Sequence, residues 1–141
     1  MSSDLSKIDA FLQEHHVLSL ATSDLLELSV CNLFYVFEPE KLSFVVASSD
    51  ETAHIKNIYK NSSVAGAVVF ETKIVGKIQG VQFRGEFLAL EDAALKKSYF
   101  SRFPYAIAMN PKLWQIKVNY FKFTDNTLGF GKKIIWREPS L

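Results

Sequence analysis

Residues 75–90 read VGKIQGVQFRGEFLAL. The stretch predicts one long β-strand, because aromatic and branched side chains suit a pleated, half-buried surface. Three glycines, Gly76, Gly80 and Gly85, interrupt it. Glycine inside a strand marks a bulge or a tight bend, so this strand is expected to curl, as at the corner of a barrel. Side chains alternate across a strand, which puts Gln82, Arg84 and Glu86 on one face. That face is either polar barrel exterior or the wall of a cleft between subunits. Arg84 and Glu86 suit a surface ion pair better than a catalytic one.

The flanking sequence has the same character. Strands are predicted at 17–21, 26–37, 42–47, 64–70, 113–124 and 130–136, with turns at 22–24, 38–41 and 71–73. The pair 26–37 and 42–47 reads as a hairpin. Three helices are inserted. In 5–16, Ile8, Phe11, Leu12 and His15 form one stripe and Ser6 is the candidate cap. In 48–61, Ile55, Ile58 and Tyr59 take helical spacing, with Ser49 or Asp50 as the cap. The third, 92–100, is capped by Asp92. Short turns favour an antiparallel sheet over parallel crossovers, and glycines within long strands favour closure. With no repeat or linker, one domain over residues 1–141 is expected.

Composition narrows the function. Hydrophobic residues make up 48% of 141, enough for a core without metal or disulfide staples. Twelve Phe and five Tyr are first a β signal and second a hint of a flat ligand. Sixteen basic and fifteen acidic residues are interleaved, which argues against a nucleic-acid partner. No apolar run is long enough for a membrane span, and no secretory signal is seen. The single cysteine, Cys31, reads as a small buried hydrophobe and fits a reducing, cytoplasmic setting. Common catalytic motifs are missing. His15, His16 and His54 have no metal-ligand spacing, so no metal is expected; His15-His16 suits a helix C-terminus.

One polar stretch stands out, SSDETAHIK at residues 48–56. It leaves a strand and opens a helix, so free backbone N–H groups, hydroxyls and cations converge there, as in phosphate sites. A capped helix with a solvated face uses the same residue types.

The order of elements, the segment VLSLAT and the GVQFRGE strand resemble the flavin-binding split-barrel superfamily typified by pyridoxamine 5′-phosphate oxidase. GVQFRGE, SRFP and FTDNTLGFGKKIIW further resemble a small bacterial family of unknown function grouped with these oxidases. The resemblance implies a mainly β fold with short helices (α+β): an antiparallel split β-barrel of the FMN-binding type. It implies FMN as cofactor, a homodimer with flavin at the interface, and possible oxidoreductase activity on an unknown small molecule. Carried onto this chain, Ser48 and Thr52 take hydroxyl positions of the phosphate motif, His54 stands where a lysine is expected, and Lys56 lies close by. Asn61 takes the motif's asparagine, and Ser62 replaces its proline. Asn32 is placed on the strand lining the isoalloxazine ring. The resemblance makes 123–136 the hairpin that completes the barrel, with Lys132, Lys133 or Trp136 near the flavin or the partner; a purely structural hairpin is the alternative. No residue is assigned as catalytic. The competing readings are a haem-handling split barrel, for which only the three histidines are available as axial ligands, and a non-catalytic ligand-binding module.

Overall fold

The computed structural model describes residues 1–139. In chain order the elements are α1 (Ser3–Glu14), β1 (Val17–Ser23), β2 (Leu28–Glu38), β3 (Ser43–Ala47), α2 (Ala53–Lys60), β4 (Ser63–Phe70), β5 (Gln79–Ala89), α3 (Ala93–Arg102), β6 (Leu113–Asp125) and β7 (Lys133–Arg137). Every strand pair is antiparallel. The sheet runs β3-β2-β1-β4-β5-β6, and β3 also pairs with β6, which closes a six-stranded ring.

The ring is split along one edge of β6. Ser43–Ala47 pairs with its first half, from Ser43↔Lys117 to Ala47↔Leu113. Strand β7 pairs with its second half, from Tyr120↔Arg137 to Thr124↔Lys133. The C-terminal hairpin therefore does not complete the barrel, as the resemblance implied. β3 closes it, and β7 prolongs the same edge.

Alternation explains the interior. Leu18 and Leu20 of β1, Val81, Phe83 and Phe87 of β5, and Trp114, Ile116, Phe121 and Phe123 of β6 all point inward and are buried. The aromatic rings interlock at the centre, with Tyr35 and Phe44 perpendicular at 5.1 Å and Phe44 and Phe83 at 4.7 Å. Each buried large side chain of this kind contributes about 1.5–3 kcal/mol. Helix α1 adds Ile8, Phe11 and Leu12 to the same core, and the Tyr35 hydroxyl donates to the Leu12 carbonyl at 2.7 Å. Its cap is Ser2, whose Oγ accepts from Leu5 N, and not Ser6. Helix α3 covers the outside of β2 and β3, where Val36, Val45, Leu95, Tyr99 and Leu113 form a smaller cluster. Its cap is Asp92, as the sequence predicts.

Only one of the three glycines in residues 75–90 marks a bulge. The register with β6 shifts between Arg84 and Gly85: Arg84 faces Tyr120, Gly85 faces Val118, and Asn119 is the extra residue. A Cβ on Gly85 would lie 2.3 Å from the Lys117 carbonyl oxygen. Gly80 sits in regular pairing with ordinary clearance, and Gly76 precedes the strand in a 3-10 turn with open space around it. Gly66 on β4, which the sequence reading passed over, is as tight: its Cβ would fall 2.4 Å from the Ser19 carbonyl oxygen.

Gly85→Ala should therefore cost about 1–3 kcal/mol, since backbone must move to admit the methyl group. Gly80→Ala should change stability by less than about 1 kcal/mol. Urea unfolding midpoints of the two variants check this; equal midpoints would remove the close approach at Gly85.

Candidate functional site

The chain leaves the barrel at Ser48, and two hydrogen bonds fix where it does so. Ser48 N donates to the Lys112 carbonyl at 3.0 Å, and Trp114 Nε1 donates to the Ser48 carbonyl at 3.0 Å. A tight turn follows. Thr52 N and Thr52 Oγ1 both donate to the Ser49 carbonyl, at 3.2 and 2.8 Å. Helix α2 then starts with Thr52 as its cap, two or three residues later than the sequence suggests, and Ile55 N donates to Thr52 Oγ1 at 3.4 Å.

That late start turns His54 inward. Its ring is only 8% exposed. His54 Nε2 lies 2.5 Å from Ser48 Oγ and 3.3 Å from Thr52 Oγ1, and the two hydroxyls are 3.5 Å apart. Three of the sequence-designated residues thus form one triangle of polar atoms at the N-terminus of α2. The first N–H groups of a helix have no partner within it, and the helix dipole favours negative charge at that end. Burial lowers the His54 pKa below 6.5, so the imidazole is neutral at pH 7.

The other designated residues are placed differently. Lys56 is exposed on α2, two positions and about 200° around the helix from His54. Asn32 lies on the outer face of β2, accepting from Ser19 Oγ at 2.8 Å. Lys133 and Trp136 are on β7, opposite Thr124 and Phe121. Those positions are at least seven residues along β6 from Trp114, or roughly 20 Å at strand rise. One chain therefore does not bring Lys133 or Trp136 to the triangle. Trp136 instead packs against the core, with its ring 6.0 Å from that of Phe121, while Lys132 and Lys133 are exposed.

Several groups were missed or misread. Asn57 is buried, and its Nδ2 donates to Thr22 Oγ1 at 3.1 Å and Ser29 Oγ at 3.2 Å, pinning α2 to β1 and β2. Its spacing of three from His54 was the available signal. Arg84 does not pair with Glu86. Its guanidinium lies 4.4 Å from the Tyr120 ring, which Arg137 approaches at 5.0 Å, while Glu86 accepts from Ser62 and Ser63. Lys112, whose carbonyl accepts from Ser48 N, is held by Asp50 at 3.0 Å, which also accepts from the Tyr59 hydroxyl. Of the remaining histidines, His15 is half-buried with its ring 4.4 Å from Phe11 and 6.2 Å from Phe70, and His16 is exposed.

No family model matches the chain. Among known sequences it is 40% identical over 139 residues to a UPF0306 protein of Klebsiella pneumoniae, covering 96% of this chain and 95% of that one. It is also 40% identical over 140 residues to UPF0306 protein YhbP of Escherichia fergusonii, with the same coverage. The chain belongs to the UPF0306 family. Among solved structures it resembles a haem-binding protein of Mycobacterium smegmatis (TM-score 0.77, 15% identity, 97% of this chain and 59% of that one). A NimC/NimA family protein of Clostridium acetobutylicum gives TM-score 0.71 at 16% identity, over 94% and 91% of the two chains. A pyridoxamine 5′-phosphate oxidase-like protein of Listeria innocua gives 0.68 at 15%, over 84% and 96%. The fold of this UPF0306 chain is accordingly the antiparallel split barrel of the pyridoxamine 5′-phosphate oxidase type. No helix among the described residues is long and apolar enough to cross a membrane.

Burial depresses the folded-state pKa of both His54 and His15. The folded chain then binds fewer protons than the unfolded one, so this contribution to stability is full above about pH 6.5 and is lost as pH falls through the lowered folded values. The melting temperature should fall on acidification from about pH 7.5 to about pH 5, and less steeply in His54→Gln. Parallel curves for the two proteins would show that His54 is not buried in its neutral form.

Proposed function

We propose that this UPF0306 protein is a cytoplasmic FMN-binding flavoprotein. The observation that carries the reading is the triangle of Ser48 Oγ, Thr52 Oγ1 and His54 Nε2 at the start of α2. Its group set suits a phosphate monoester: the Ser48 hydroxyl and the His54 imidazole as donors 2.5 Å apart, with Thr52, whose own proton goes to the Ser49 carbonyl, capping the helix whose first N–H groups lie alongside. Asn32, on the neighbouring outer face of β2, offers its amide to the ring. When bound, FMN would supply hydride or electron transfer with a small-molecule partner. The chain's own residues would anchor the phosphate, orient the ring and wall off the pocket. His54 would be neutral before binding and would gain a proton as phosphate favours its charged form.

A second copy is part of the proposal. The outer face of β2 and the turn before it leave Leu26 92%, Leu28 83% and Val30 73% exposed. Apolar side chains gathered on one sheet face in this way mark an interaction surface. A twofold dimer would bury them and would allow Lys133 and Lys132 to reach the flavin from the partner, which one chain alone does not.

Thr52→Val should weaken FMN by about tenfold, because it removes the cap that aims the start of α2 and His54 at the phosphate, and riboflavin by less than about twofold. Thr52→Ser, which keeps the hydroxyl, should bind FMN as the parent does. Flavin fluorescence titration measures both, and equal losses for FMN and riboflavin in Thr52→Val would refute the phosphate assignment.

Sedimentation at micromolar concentration should give twice the 16.0 kDa chain mass. Val30→Glu should shift it to the monomer, because unpaired charge is costly to bury. A monomeric parent that still binds FMN would remove the interface from the proposal.

A further inference from the structure

Beside the Ser48–His54 triangle lies a cavity of about 420 Å³ that the phosphate reading does not use. It lies between the outer face of β2 and β3 and the segment that joins α3 to β6. Phe34 and Ala47 form its floor, and Tyr99, Phe103, Tyr105 and Met109 its walls. Ala47 is the residue before Ser48, and Phe34 is two residues along the same face of β2 from Asn32. The cavity therefore touches both the proposed phosphate end and the proposed ring-lining strand.

Its chemistry is one-sided. The lining holds no acidic or basic residue. The nearest cations do not line it. Arg102 Nη2 donates to the His15 carbonyl, its Nη1 is buried without a hydrogen-bond partner, and its guanidinium lies over the Tyr35 and Phe103 rings at 5.4 and 5.7 Å. Lys112 is paired with Asp50. The walls are aromatic and already arranged for ring contact: Phe34 and Phe103 are 5.7 Å apart and tilted, and Tyr99 and Phe103 are 5.1 Å apart. A volume of this size suits a small molecule. A phosphate or carboxylate placed here would lose its water and find tyrosine hydroxyls but no cation. Tyr105 is 92% exposed and Met109 82%, so both sit at the rim, where a flexible thioether adapts to a flat ligand.

The geometry points to a substrate subsite for a flat, uncharged aromatic ring system, held beside the flavin and excluding phosphorylated or otherwise anionic substrates. This rests on the flavin reading for the word substrate; the selectivity of the cavity rests on its own lining. The subsite discriminates by desolvation: an uncharged ring exchanges water for four aromatic faces, whereas an anion leaves its hydration uncompensated.

The test is calorimetric titration of FMN-loaded protein with menadione, with naphthoquinone sulfonate as its charged relative, and with pyridoxamine 5′-phosphate. Menadione should bind at least about tenfold more tightly than either anion. Ala106→Glu, which places a carboxylate at the cavity wall, should weaken menadione by about tenfold or more and leave FMN affinity in place. Met109→Leu, which keeps the rim apolar, should bind menadione as the parent does. Melting temperature and sedimentation of each variant are read alongside. Similar affinities for menadione and its sulfonate would overturn the selectivity. So would unchanged menadione binding in a folded Ala106→Glu, or a parent dimer that this variant dissociates, since the cavity would then be covered by a second copy. If the protein takes no FMN but the cavity still prefers menadione, the flavin reading fails and the subsite for an uncharged ring stands.

Discussion

The short ladder between β3 and β6 is the constraint on which the rest of this molecule depends. Five residue pairs, from Ser43↔Lys117 to Ala47↔Leu113, convert an open sheet into a closed ring. Without them, β3 would be an edge strand with an unpaired row of backbone groups. The same ladder decides where the chain leaves the barrel. Ala47 is its last paired residue, and Ser48 is then held by the Lys112 carbonyl and the Trp114 indole. Closure and the candidate site are thus one event: the residues that complete the ring also aim Ser48 at the start of α2. The bulge at Asn119 follows from the same geometry. β6 must serve β3 with one half and β7 with the other, and the extra residue lies between the two halves.

On the proposed reading, a buried histidine stands at the mouth of an anion site. A lysine there would carry its charge at all physiological pH values and would resist burial. Burial disfavours the charged form of His54, and its Nε2 is then satisfied by the Ser48 hydroxyl at 2.5 Å. On the proposed reading, the ligand rather than the protein brings in the charge, and the proton follows it. The buried Asn57, one helical turn further on, fixes α2 to the sheet, so the imidazole is not free to swing out to water.

The architecture was largely legible because it depends on patterns that a sequence carries. Alternation along 79–89 and 113–125 separates the inner aromatics from Gln82, Arg84 and Lys122, and turn residues delimit the hairpins. What was not legible depended on choices between near-equal local options. Ser49, Asp50 and Thr52 are all competent caps, and only the turn imposed by Ser48 selects Thr52. Because each residue advances the helix by about 100°, that selection decides which side chains face inward. Likewise, residues 123–136 announce a hairpin, but nothing local says which stretch of β6 is already occupied by β3. Pairing along a shared edge is a non-local fact, so neither the hairpin pattern nor the family resemblance of 123–136 locates the closing strand. The pairing of Arg84 with Tyr120 rather than Glu86 has the same origin, since the cross-strand neighbour comes from register.

The distribution of charge bears on how many copies the proposed site requires. A phosphate monoester carries between one and two negative charges near neutral pH, and in one chain the triangle offers hydroxyls and a neutral imidazole. Lys112 is neutralised by Asp50, and Lys56 faces solvent on the other side of α2. Four further cations are on the far sheet: Arg84, Lys122, Lys133 and Arg137 all project from the outer face of β5, β6 and β7, with two of them flanking Tyr120. That face lies roughly 20 Å from Ser48 within one chain. The apolar face of β1 and β2 lies on the same exterior of the barrel, and burying it against a copy of itself would bring a second set of those cations into the assembly. On the proposed reading, charge balance at the phosphate and burial of Leu28 and Val30 are separate requirements, and a twofold pairing of this chain would meet both.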